Sequence, residues 1–256
     1  MKIFVFGKNE GSVLALFMLL MIGLCVFIPY GVKTASTSAP QKKLPIYSVQ
    51  TAEKKLAVTF DCAWANSDTD TLIKILKKHN AKATFFVTGE WVSKYPEDVL
   101  KFYTAGHEIA NHSDSHSHIN KMSAAELSND IKACNDKIKA VTGNAPLCYR
   151  GPYGEYNNTL LSEVEKLKMF AVQWDTDSRD WQKKSVNYMV NSVCKNAKEG
   201  SIVLFHNDLE NPPAALDRIL EHFSNEGYSF VTASDLIYKE NYIIRHDGTQ
   251  CKIKDE

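Results

Sequence analysis

Gly106-His107-Glu108-Ile109-Ala110-Asn111-His112-Ser113-Asp114-Ser115-His116 passes from a short apolar run into a polar one. The run from Gly106 to Ala110 reads as a buried strand. Two histidines follow where that strand ends, four apart, with small polar residues between them. Imidazoles spaced in this way can turn toward one point, where a single metal ion would explain the pair. Chemistry at the C-terminal end of a strand is the usual arrangement in α/β folds. The alternative is two solvated loop histidines, and the pair alone does not decide between them.

Outward from this stretch, strand and helix alternate. Leu56 to Phe60 is an apolar run and reads as a strand. Asp70 to His79 carries Leu72, Ile73, Ile75 and Leu76 at helical spacing. Thr84 to Val87 is β-branched and aromatic, hence a strand. Pro96 opens a helix to Tyr103. Ser123-Ala124-Ala125-Glu126 is a capping box that starts a helix stopped by Gly143. Helices follow at 157–167, 185–197 and 212–225, and strands at 169–174, 201–205 and 228–231, with a last short helix at 233–238. Such alternation argues a parallel sheet with crossover helices. About seven units predict an α/β fold, an incomplete or distorted (β/α) barrel, within 53–240.

The bulk properties agree. The chain has 256 residues, 44% of them hydrophobic, and its 30 basic residues balance 30 acidic ones. That is enough for an ordinary core, and the absence of a basic bias points away from nucleic acid. The N-terminus is different. From Gly11 to Val32 there is no charged residue, and Lys2 and Lys8 precede the run. Residues 1–34 therefore read as a signal peptide or signal anchor. The expectation is a single-pass membrane protein with its domain outside, or one secreted to the cell wall. Residues 35–52 read as a linker and 241–256 as a C-terminal extension. Of the cysteines, Cys134 falls on an amphipathic helix and reads as packing.

Five polar clusters each lie just after an expected strand: Asp61-Cys62, His112 with His116, Arg150 to Gly154, Asp177 to Trp181, and Leu204 to His206. In a parallel barrel all strand C-termini face one side, so the five converge on one mouth. Singly, each has a bland reading: a surface turn, a helix cap, a core histidine. In order and spacing together, Thr59-Phe60-Asp61-Cys62, His112-Ser113-x-x-His116, Arg150-x-Pro152-Tyr153-Gly154, Asp177-x-x-Asp180-Trp181 and Leu204-x-His206 resemble the five motifs of the polysaccharide deacetylases with a NodB-homology domain, carbohydrate esterase family four. The resemblance covers roughly Glu53 to Tyr238 and is similar in context to the membrane-tethered or secreted branch of Gram-positive bacteria.

The resemblance implies a hydrolase that removes N-acetyl groups from cell-wall glycan, assisted by one zinc or other divalent ion held by His112, His116 and the residue at 62. Asp61 would be the base that takes a proton from water, and His206 the acid that protonates the leaving amine. Arg150 would hold Asp61 ionised, and Asp180 would orient His206. The backbone N–H of Tyr153 would face the oxyanion. Trp181 and Leu204 would form the apolar wall against the acetyl methyl. The implied partners are acetylated cell-wall glycan and the cytoplasmic membrane, with the protein a monomer. One position departs from the family pattern: its second Asp of the first motif is here Cys62. Three readings stay open. The thiolate ligates zinc, or the two histidines hold the metal with extra waters, or no metal binds and activity is lost. The last keeps alive a glycan-binding module without catalysis; an O-acetyl esterase is a third possibility.

Overall fold

The computed structural model describes residues 42–253. The uncharged run at 11–32 lies outside them. Among the described residues no helix is long and apolar enough to cross a membrane. In chain order the elements are β1 (Ser48–Val49), β2 (Lys55–Cys62), α1 (Thr69–Lys78), β3 (Ala83–Val87), α2 (Gly89–Lys94), α3 (Pro96–Thr104), β4 (Glu108–Asn111), α4 (Ala124–Thr142), β5 (Cys148–Tyr149) and α5 (Asn158–Lys166). There follow β6 (Phe170–Ala171), β7 (Thr176–Asp177), α6 (Val186–Asn196), β8 (Ile202–His206), α7 (Pro212–Asn225), β9 (Ser229–Phe230), α8 (Ala233–Leu236), β10 (Tyr242–Ile244) and β11 (Thr249–Lys252).

The main sheet runs β6-β5-β4-β3-β2-β8-β7, with β9 paired to the start of β2. Every pairing in it is parallel. This is the incomplete (β/α) barrel expected from the sequence. Residues 46–49 run from one side of it to the other. Ile46 bridges Val172 just past β6, and Ser48 bridges Ser201 just before β8.

β2 lies at the centre and is buried on both faces, so it reads as a continuous apolar run rather than an alternating one. Its residues nevertheless alternate between two layers, as strand geometry requires. Leu56, Val58, Phe60 and Cys62 join the outer layer under the helices, with Leu72, Phe85, Phe102 and Leu216. Ala57 faces the interior with Phe86, Ala110, Cys148 and Ile202. Phe85 stacks between Phe60 and Phe102, at ring-centroid distances of 5.0 and 3.7 Å.

The helix ends follow the sequence signals. Glu126 donates its N–H to Ser123 Oγ and accepts from the Ser123 N–H, completing the capping box of α4. Gly143 ends that helix in the left-handed region, at φ 79°. Helix α2 was not expected from periodicity. Thr88 caps it by accepting from the Trp91 N–H at 3.1 Å. It opens at Gly89, where a Cβ would collide with the Asp114 carboxylate that Lys137 holds.

Residues on both sides of 53–240 belong to the same folded unit. β1, β11 and β10 form a separate three-stranded sheet in that order. β1 pairs parallel with β11, Ser48 beside Thr249 and Val49 beside Gln250.

Candidate active site

Parallel strands in register bring the first pair of functional side chains together. Asp61 of β2 is the Cα partner of His206 at the end of β8. Asp61 has the parity of Ala57 and Thr59, so it faces the barrel interior. Burial alone would raise its pKa. The charge of Arg150, helped by His112, His206 and the hydrogen bond from Arg150, outweighs burial and holds Asp61 below the ordinary carboxylate range.

Arg150 is fully buried and spends its donors locally. Nη1 donates to Asp61 Oδ1 at 2.7 Å, Nε to Val172 O at 3.2 Å and Nη2 to Gln173 O at 3.1 Å. Its guanidinium lies over the Phe86 ring at 4.0 Å. A charge taken out of water this completely needs such pairing to be tolerated.

His112 follows β4 and is also buried. Its Nδ1 lies 2.8 Å from Arg150 O, which accepts only if Nδ1 carries the proton. That leaves the Nε2 lone pair free, 3.6 Å from Asp61 Oδ2. His116 is held by a loop in which Ser113 and His116 both take positive φ, 73° and 54°. Ser113 Oγ accepts from the His116 N–H. The two imidazole centroids are 5.1 Å apart. Burial lowers the pKa of both, that of His116 to about 4. Two neutral imidazoles, one with its tautomer set by a backbone carbonyl, are suitable nitrogen donors for a divalent ion.

Cys62 does not join them. One residue beyond Asp61 in a straight strand, it points to the opposite face, into the outer apolar layer. Burial first, then Asp68 and Asp61, push its thiol well above the ordinary value, so it remains a protonated, packed side chain. Among the described residues, no group of three His, Cys, Asp or Glu side chains is placed to hold a metal.

On the other side, Asp180 Oδ1 lies 2.7 Å from His206 Nδ1, and Oδ2 accepts from the His206 N–H at 2.6 Å. Burial would lower the pKa of His206. The hydrogen bond and charge of Asp180, with Asp61 and Asp177, prevail and raise it. The site therefore sets a carboxyl biased toward its ionised form beside an imidazole biased toward its protonated form, the pairing that an acid–base division of labour requires.

The residues expected from the sequence to contact substrate are Leu204, Tyr153 and Trp181. Leu204 is buried and has the same strand parity as His206. Tyr153 stands at φ 58°, with its side chain 60% exposed, and Trp181 is 55% exposed. Tyr153 packs edge-on against His116 and stacks on His118 at 4.2 Å. His118 also bonds Glu155 at 2.8 Å. Sequence reasoning passed over Trp64. It lies three residues after Asp61, 56% exposed. Its ring is 5.9 Å from that of His116 and 6.0 Å from that of His206.

Comparison with known proteins agrees with this arrangement. The family model described as polysaccharide deacetylase matches residues 48–172. A peptidoglycan-N-acetylglucosamine deacetylase of Bacillus cereus is 36% identical over 75% of this chain and 92% of its own length. The peptidoglycan-N-acetylmuramic acid deacetylase PdaC of Bacillus subtilis is 33% identical over 74% of this chain, which spans 40% of PdaC. Among solved structures, BA3943 from Bacillus anthracis, described as a CE4 family pseudoenzyme, superposes with a TM-score of 0.73 at 27% identity. That superposition covers 76% of this chain and 69% of BA3943. A likeness of more than a third that runs through nearly the whole of the Bacillus cereus relative leaves one conclusion: the chain belongs to the polysaccharide deacetylase family.

Proposed function

We propose that this protein hydrolyses the N-acetyl groups of amino sugars in cell-wall peptidoglycan. The observation that carries the reading is geometric: Asp61, bonded to Arg150, and His206, bonded to Asp180, stand side by side on neighbouring strands, with the carboxyl pKa lowered and the imidazole pKa raised by those partners. An amide needs both: a base for the attacking water and an acid for the leaving amine. Asp61 takes a proton from water as the oxygen attacks the acetyl carbon. The Tyr153 N–H donates to the oxygen that gains charge. His206 then gives its proton to the sugar nitrogen as the C–N bond breaks, leaving acetate and a free amine. Asp180 keeps the imidazole oriented and charged until that moment. Trp181 and Leu204 shape the apolar side of the pocket.

The imidazoles of His112 and His116 fit a divalent ion such as zinc; the Cys62 thiol, facing the other layer, does not. When bound by the two histidines, such an ion supplies Lewis-acid polarisation of the acetyl carbonyl. The uncharged run at 11–32, which reads as a signal peptide or anchor, and the identity of the relatives support an extracellular place of action, at the membrane or in the wall.

Cys62 and the likeness to BA3943 favour one second reading, a glycan-binding protein that has lost catalysis. Acetate release from N-acetylated peptidoglycan fragments, assayed with added zinc or cobalt, separates the two. Turnover that falls by about 10² or more in both Asp61→Asn and His206→Ala supports the enzyme. Saturable glycan binding without acetate release supports the second reading.

A further inference from the structure

Three large aromatic side chains stand exposed around the mouth of the site, and one of them, Trp64, has no part in the chemistry above. Its position is unusual in two respects. It leans across the gap between the imidazoles of His116 and His206, at 5.9 and 6.0 Å. It therefore lies beside both the proposed metal side and the proposed acid side of the pocket. Its backbone is also firmly held, although its ring is exposed. The carbonyl of the next residue, Ala65, accepts from Trp91 Nε1 at 2.9 Å and from Asn207 Nδ2 at 2.6 Å. Trp91 and Asn207 are both buried. Asn207 follows His206 directly and donates its N–H to Asp61 O, so the same residue ties the Trp64 loop to both catalytic strands.

A large apolar ring left in water is costly unless something covers it. One fixed on a rigid backbone at the rim of a polar pocket has the form of a preorganised ligand contact. The chemistry of the pocket says what would cover it. A β-linked gluco-configured pyranose has equatorial substituents and presents a flat face of axial C–H groups. That face is complementary to the electron-rich face of an indole. A pyranose seated on Trp64 would lie beside His116 and His206 together.

We propose that Trp64 is the platform on which the sugar ring bearing the scissile acetamido group stacks, making it a determinant of specificity for β-linked pyranoses. The proposal rests on the reading of the site as one for an N-acetylated sugar. Tyr153 differs from Trp64, because its ring already stacks on His118. Trp181 differs in that its Nε1 already donates to Asp177 at 3.4 Å.

The test is calorimetric titration of the full chain with the β-1,4-linked tetramer of N-acetylglucosamine, in an Asp61→Asn background so that nothing is consumed. Trp64→Ala should raise Kd by about tenfold or more, the scale of a central aromatic contact. Trp64→Phe, which keeps a π face, should stay within about threefold of the parent. In the otherwise wild-type enzyme, Trp64→Ala should move KM for acetate release more than kcat. A Kd in Trp64→Ala within twofold of the parent overturns the proposal. So does an equal loss in Trp64→Phe, or a parent that does not bind the tetramer at millimolar concentration. If the parent binds and the wild type releases no acetate, the deacetylase reading falls while the platform stands. If acetate is released with KM unmoved in Trp64→Ala, the platform falls and the deacetylase reading stands.

Discussion

At the scale of single residues the site is a set of buried charges made tolerable by neighbours. The Asp180–His206 bond makes a testable demand. Asp180 raises the pKa of His206, and in the proposed mechanism His206 acts as acid only while protonated. Activity is therefore lost as pH rises through that raised value. On the other side it falls as Asp61, whose pKa is lowered, gains a proton. Asp180→Asn removes the charge that raises His206, so the alkaline limb of kcat/KM should move to lower pH while the acid limb stays. A limb that does not move would separate Asp180 from the acid. Cys62 is the second case. With its thiol in the apolar layer, a cobalt-loaded protein should show no thiolate-to-metal charge-transfer band, and Cys62→Ala should retain its cobalt. Absorption spectra and metal content check both points. That Asp61, Arg150, Asp180 and His206 would gather at one place was legible because each motif lies at a strand end. The direction of Cys62 was not. The apolar run ends at Phe60, which hides the fact that β2 continues straight through Cys62. Alternation then sends neighbouring side chains to opposite faces.

At the scale of elements, long helices were readable and short strands were not. The capping box and Gly143 mark α4 in the sequence because they satisfy backbone groups locally. β5 and β7 have two residues each, too few to show a period, and exist because longer neighbours offer them hydrogen bonds. Helix α1 carries a further prediction. Its N-cap, Asp68, is buried, with Oδ1 lacking a hydrogen-bond partner while Oδ2 accepts from the Asp208 N–H. Burial raises its pKa to about 6. A carboxyl that binds its proton more tightly when folded contributes full stability below its ordinary pKa, near 4. That contribution is lost as pH rises through about 6. The ionised form then costs up to about 3 kcal/mol. Asp68→Asn keeps an acceptor for Asp208 and cannot ionise. It should be more stable than wild type at pH 8, and the difference should shrink toward pH 4.5. Urea denaturation at the two pH values measures it.

At the scale of the whole molecule, the sequence conveyed the barrel and missed the way the chain's far segments meet. Residues 241–256 read as an extension because partners some 200 positions away leave no local pattern. In the structure residues 242–244 and 249–252 form β10 and β11, and Gln250 is buried. Its Oε1 accepts from the Tyr238 N–H at 2.8 Å and its Nε2 donates to Tyr238 O at 2.7 Å. A chain ending at residue 240 would leave those groups unpaired and strip β1 of its β11 partner, with only its contact to residues 200–201 remaining. Its melting temperature should fall by about 5–10 °C, the scale of a few kcal/mol in a domain of this size, as differential scanning calorimetry would show.

The pairing of β1 with β11 also has a mechanical side. The two strands are parallel, one near the start of the folded unit and the other near its end. Tension applied at residues 42 and 253 would draw them in opposite directions along a common axis. The load falls on their hydrogen bonds in shear, so the bonds must fail together instead of peeling one at a time. Forced unfolding is governed by the height of its first barrier, and this clasp places that barrier where the pull enters, at the opposite end of β8 from the Asp61–His206 pair.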